Sequence, residues 1–237
     1  EDFAARLDPA IAFMEKLVGL LRYSDQHKLY LVDALLAEVH AEALMAVKAL
    51  SFWIIEFGRV AQGHGAEAIQ RFRAIVTAVI ELSLLPFHLS AGLVALPVVS
   101  QAAAQVLDTV TSQIRPVFLL EVPCLVESVQ RGGVICSTLE PTTRLAVATS
   151  LSNALLLPAA GVPQASINWE PRAAQHRELI GGLLGGYIAL QSQPAFAAGQ
   201  LPTGGEDFIK DACTVLSALA KSVRDQPLVT KDVLVKT

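Results

Sequence analysis

Three stretches of the sequence, residues 82–107, 145–169 and 179–205, contain no Asp, Glu, Lys or Arg. Each exceeds the roughly 20 residues that a helix needs to cross hydrocarbon, so each either spans a membrane or is buried within protein. Their interiors separate the two. The first contains Pro86, His88, Pro97, Gln101 and Gln105, and the second contains Asn153, Pro158, Pro163, Gln164 and Asn168. The third contains Gln191, Gln193, Pro194, Gln200 and Pro202. Such residues cut the stretches into apolar pieces of roughly 10 to 15 residues, too short to span. No aromatic belt or Lys/Arg asymmetry flanks them. A densely buried helical protein is therefore expected, and a helical membrane protein is kept as a third reading.

The apolar spacing is helical almost throughout. Asp8-Pro9 reads as an N-cap and first-turn proline, followed by the stripe Ile11, Met14, Leu17, Val18 and Leu21. Ser24-Asp25 reads as a second start, with Leu29, Val32, Leu35, Leu36 and Val39 inward. A third helix carries Leu44, Val47, Leu50 and Ile54, and a fourth, from Ala66, carries Ile69, Phe72, Ile75, Val76, Val79 and Leu82. Further helices are expected from Pro97, near Pro116, from Pro141 and from Pro171. The last, near Glu206, turns Ile209, Ala212, Leu216, Leu219 and Val223 inward. No alternating strands bounded by hairpin turns are visible.

Nine or ten helices at intervals of roughly 20 to 25 residues pair into a period of about 40 to 50, that of HEAT and armadillo arrays. The fold class expected is all-α: a HEAT-repeat-like superhelical solenoid of antiparallel helix pairs. The chain, 1–237, reads as one α-solenoid segment of about four to five repeats, and its opening Glu-Asp-Phe reads as part of a longer chain. Stacking also accounts for the composition, 53% hydrophobic and only 17% charged, because an interior helix is covered on more than one side.

Chemistry is sparse. Eighteen basic against 22 acidic residues give a net charge of −4, no electrostatic footprint for nucleic acid. Cys124, Cys136 and Cys213 form no CxxC pair, which fits free thiols in a reducing compartment. No signal peptide is visible. His27, His40, His64, His88 and His176 never adopt HxxxH or HExxH spacing and read as surface or loop residues. No GxSxG nucleophile elbow occurs. Gly181-Gly182-Leu183-Leu184-Gly185-Gly186 lacks the Gly-Lys-Ser/Thr of a phosphate loop, and its small residues four apart suit close helix approach instead. Glu67 with Arg71, and Asp207 with Asp211, read as solvated helix faces. Trp53 and Phe57, four apart, read as core in preference to a partner-binding patch. No catalytic, cofactor-binding or metal-binding residue is assigned, and an enzyme is not expected.

Ile114-Arg115-Pro116-Val117-Phe118-Leu119 and Leu151-Ser152-Asn153-Ala154-Leu155-Leu156-Leu157-Pro158 resemble successive segments of the exportin-6 family, nuclear export receptors of the importin-β superfamily. Trp169, Pro171 and Arg172 echo the segment that follows, with Glu170 between the tryptophan and the proline. The resemblance covers roughly residues 109–183, about a third of the chain, and elsewhere rests on the helix rhythm. It implies a HEAT-repeat receptor that binds GTP-loaded Ran and a protein cargo, actin–profilin, engages nucleoporins and shuttles between nucleus and cytoplasm. GTP would enter only through Ran, with no cofactor bound directly. Arg115, Trp169 and Arg172 mark the resemblance and are expected to be structural; no Ran or cargo contact is assigned to a residue. A HEAT-repeat scaffold without a transport role would show the same fold.

Overall fold

A computed structural model describes residues 2–89, 93 and 95–223, all helix, turn or irregular chain. The all-α expectation holds, with no strand among the described residues. Contacts divide the chain into two compact units, residues 1–125 and 126–237.

In the first unit, α1 (Asp2–Gln26) packs on a long arm formed by α3 (Ala34–Ala49) and α4 (Ser51–Ala61), nearly continuous through Leu50. The short α2 (Leu29–Val32) links them. α5 (Ala66–Leu84) and α6 (Pro97–Thr109) form a second pair. α5 lies against α1, and α6 against α3. First helices thus stack on first helices and second on second, as in HEAT repeats.

The other unit repeats the scheme. α7 (Pro123–Gln130) opens at the division, followed by α8 (Gly132–Ser137), and α8 pairs with α9 (Pro141–Leu156). α10 (Trp169–Leu183) continues as α11 (Gly185–Gln191), and after the short α12 (Pro194–Ala197) comes α13 (Gly205–Val223), which packs on α11. Again α8 meets α10 and α9 meets α13.

Several starts differ from expectation. Pro9 lies inside α1 and does not open it. One missing i→i−4 bond is outweighed by a buried face that runs unbroken through Leu7, Ile11, Met14 and Leu21. Ser24 and Asp25 do not reopen a helix: α1 continues through them, and Asp33 caps α3, accepting from the Leu35 amide at 2.7 Å and the Leu36 amide at 3.2 Å. α7 begins at Pro123, after a 3-10 turn over Leu119–Glu121, and not near Pro116. Asn168 caps α10, which starts two residues before Pro171.

The inward face of α2 and α3 also differs. Val32, Leu35, Leu36 and Val39 are exposed. Tyr30, Ala37, His40, Ala41, Leu44 and Val47 are buried, with Tyr30 and Ala37 against Ala95 and Val99. In α13, Ala212, Val215 and Leu219 face in and Leu216 is partly exposed; the expected contact of Val223 lies outside the described side chains. Ile69 is exposed on α5, whereas Ile75, Val76, Val79 and Leu82 are buried as expected.

Candidate functional site

In the first unit the ends of three helices enclose a cavity of about 290 Å³. α1 contributes Leu7 and Asp8, α4 contributes Phe57, Val60 and Ala61, and α5 contributes Glu67, Ala68 and Arg71. His64, in the turn between α4 and α5, completes the lining, its Nδ1 2.9 Å from the Val60 carbonyl. Gly65, at φ 88°, makes that turn in a conformation that strains any side-chain-bearing residue.

Glu67 is exposed, as a solvated face requires, and acts only weakly on Arg71. Arg71 reaches across to Glu15 on α1, donating from Nε at 2.7 Å and Nη2 at 2.9 Å. This fork is the bidentate arrangement a guanidinium offers a carboxylate. It holds the Glu15 carboxyl below its ordinary range and raises Arg71, with smaller contributions from Asp8 and Glu67. The Arg71 guanidinium also lies 5.9 Å from the centroid of the Phe57 ring. Phe57 is core, as expected, edge-on to Phe72, which is edge-on to Phe118. Trp53 is half-buried against the exposed Phe52.

Two of the five histidines are not surface residues. His40 is buried with Nδ1 2.9 Å from Ser24 Oγ and its ring 4.5 Å from that of Tyr30. Burial lowers its pKa to about 4, with Asp25 opposing the fall and Lys28 adding to it. Tyr30 donates to Asp25 at 2.9 Å and is raised well above its ordinary value, chiefly by burial. In the second unit His176 is fully buried, Nε2 2.9 Å from Ser152 Oγ, and Nδ1 has no partner. Burial takes it to about 4 as well. The Ser152–His176 pair resembles a nucleophile and its base, but both are sealed from solvent, so no substrate reaches them.

The glycine-rich segment packs as its spacing implies, in part. A Cβ on Gly133 of α8 would lie 2.5 Å from the Gly182 carbonyl, and one on Gly186 would lie 2.7 Å from the Phe208 ring. Gly181 and Gly185 face open space. Asp207 and Asp211 are not equivalent: Asp207 is exposed, whereas Asp211 accepts from Arg144 on α9 at 2.6 Å. The Arg71–Glu15 and Arg144–Asp211 ion pairs are not legible at helical spacing, since their partners lie 56 and 67 positions apart.

The residues that carried the resemblance make contacts within the fold, although Val117 and Pro171 are exposed. Arg115, at φ 44°, ends a π-turn over Val110–Ile114, its amide donating to the Val110 carbonyl at 2.9 Å. Phe118 is buried with the Arg73 guanidinium 4.9 Å from its ring centroid. Residues Leu151 to Leu156 are buried along α9. Arg172 lies over the Trp169 ring at 5.7 Å and donates to the Leu155 carbonyl at 3.4 Å, tying α10 to the end of α9. Burial lowers its pKa.

Cys136 is buried, its thiol pushed up to about 12; Cys124 is half-buried and Cys213 exposed. Among the described residues no three His, Cys, Asp or Glu side chains converge as a metal ion would require. Among them, too, no helix is long and apolar enough to cross a membrane.

No protein-family model and no solved structure matches the chain. Curated relatives do. Mouse exportin-6 is 26% identical over 235 residues, 93% of this chain and 20% of the mouse protein. Exportin-6-B of Xenopus laevis is 29% identical over 209 residues, 84% of this chain and 18% of that protein. Human exportin-6 is 26% identical over 212 residues, again 84% of this chain and 18% of its own length. The similarity thus extends well beyond the motifs, while the chain spans about a fifth of the length of the relatives it matches. The chain is thus similar to one region of exportin-6, and it is built as an all-α stretch of HEAT-like helix pairs.

Proposed function

We propose that this chain is part of a nuclear export receptor of the importin-β superfamily, which binds GTP-loaded Ran together with a protein cargo. The observation that carries the reading is similarity to exportin-6 of several species along 84 to 93% of the chain. The fold is suited to it. Helix pairs that touch only their neighbours offer long surfaces and deform by small steps per pair, so binding at one place alters shape elsewhere. Actin–profilin is the cargo proposed, from the resemblance of the motifs in α9 and before α7. Passage between nucleus and cytoplasm would use nucleoporin contacts. The receptor acts by binding, not by catalysing a reaction, and takes up GTP only with Ran.

The test uses the longer protein that contains this region. It is passed over immobilised Ran loaded with GTP or GDP, with and without actin–profilin. Retention on GTP-Ran, strengthened by cargo, is expected from the linkage between two ligands of one receptor. Equal retention on both nucleotide forms, or none, overturns the reading and leaves a HEAT-repeat scaffold without a transport role.

A further inference from the structure

We propose that the cavity among α1, α4 and α5 is a socket for one basic side chain, lysine or arginine, presented by a protein partner. The inference goes beyond the transport reading and stands on the first unit alone. The floor is apolar: Leu7, Phe57 and Ala61 are buried, with half-buried Val60 beside them. A long aliphatic stem would cover that surface and keep its charged head at the rim. The rim is acidic. Asp8 and Glu67 are exposed at the mouth and form no ion pair with any described residue, whereas Arg71, the cation at the site, is committed to Glu15 by both arms of its fork. Among the described side chains three carboxylates therefore stand around one guanidinium, and their balance is negative.

This charge selects among occupants. An acidic side chain would meet two further carboxylates that Arg71, already forked onto Glu15, offsets only in part. A neutral apolar one would fill the floor but draw water away from both carboxylates without replacing it, which costs free energy. A basic side chain meets floor and rim together. The volume, about 290 Å³, accommodates one such side chain, whereas a helix with its side chains, about 10 Å across, does not fit.

The test follows the methyl resonances of Leu7, Val60, Ala61 and Ala68 in the full chain by NMR at low salt. The probes are blocked tripeptides, acetyl-Ala-Xaa-Ala-amide, with Xaa lysine, arginine, norleucine or glutamate. Lysine and arginine peptides are expected to shift these methyls saturably. Norleucine should bind at least about fivefold more weakly, and glutamate should produce no saturable shift. Asp8→Asn with Glu67→Gln should weaken the lysine peptide about tenfold at an unchanged melting temperature, since both residues are exposed, while Glu42→Gln on α3 leaves it unchanged. Equal affinity for norleucine, no saturable shift with lysine or arginine, or an unaffected double variant would each overturn the proposal. None of these outcomes depends on Ran, so the socket and the transport reading stand or fall separately.

Discussion

Substituting alanine at three glycines of the second unit distinguishes a true close approach of helices from a merely glycine-rich segment. At Gly133 the new methyl would sit 2.5 Å from the backbone carbonyl carbon and oxygen of Gly182. Carbon–carbon contacts are comfortable at about 3.5 to 4 Å, so α8 and α10 would have to part by roughly 1 Å. Overpacking of this kind costs about 1 to 3 kcal/mol, and contact with backbone in place of a flexible side chain puts Gly133→Ala at the upper end. Alanine's helix propensity offsets up to about 1 kcal/mol, leaving a net loss near 2 kcal/mol. At Gly182 the nearest atoms would be 3.3 Å away, a mismatch of tenths of an ångström, so clash and propensity should cancel to within about 0.5 kcal/mol. At Gly181 nothing lies within 4 Å, and Gly181→Ala should stabilise by about 0.5 to 1 kcal/mol. Urea unfolding followed by Trp169 fluorescence in a Trp53→Phe background reports on this unit alone. The expected order of midpoints is Gly181→Ala above the parent, Gly182→Ala beside it and Gly133→Ala well below. Gly133→Ala at or above the parent midpoint would refute the close approach.

Two further outcomes are expected. The histidine pair, at about 4 in the folded state against an ordinary 6.5, is neutral when folded. The unfolded chain therefore takes up protons first as pH falls, so stability is full above about 6.5 and declines towards 4, by about 1.4 kcal/mol per pH unit for each histidine. Denaturant titrations at pH 7, 6 and 5 should show the decline, with His176→Gln removing it from the second unit only; a flat profile would contradict the burial. Asp211→Asn should lower the midpoint of that unit by about 1 kcal/mol through loss of its Arg144 partner, while Asp207→Asn, on the solvated face, changes it by less than about 0.3. Equal effects would dismiss the ion pair.

Helix existence was legible because apolar period alone reports it: Ile11, Met14 and Leu21, or Leu179, Ile180 and Leu183, are buried where spacing places them. The choice of face failed on α2 and α3, where two sets compete. Val32, Leu35, Leu36 and Val39 are the more hydrophobic, yet Tyr30, Ala37, His40 and Ala41 are inside. Small residues let α6 come close to α3, and Tyr30 and His40 carry their polar atoms to Asp25 and Ser24, so both can be buried without an unmet hydrogen bond. Hydrophobicity ranks side chains one at a time and misses such partnerships. The cavity was invisible for a similar reason: Asp8, Phe57 and Glu67 share no motif, and only the stacking of α5 on α1 brings them together.

The missing charge in residues 97–107 follows from the position of α6. Val99, Ser100, Ala102, Ala103, Ala104, Val106, Leu107 and Thr109 are buried, an arc of roughly 220° at 100° per residue. A helix covered on one side needs an apolar stripe only a little wider than about 100° and keeps a charged face. α6 is covered by α3 on one side and α5 on the other, and its alanines bring those neighbours close. The remaining strip is narrow and polar without being ionic: Gln101 and Gln105 are exposed, and Gln105 accepts from Lys48 of α3 at 2.7 Å. Where the strip ends, at Asp108, partial burial already raises the carboxyl, with Lys48 opposing it. A charged residue one turn earlier, at Ala104, would lie within the buried arc and would have to be neutralised or expelled. α9 is under the same constraint, with α8, α10 and α13 around it and Val147 to Leu156 mostly buried. Long charge-free runs broken by proline and glutamine are what such doubly covered helices require in water.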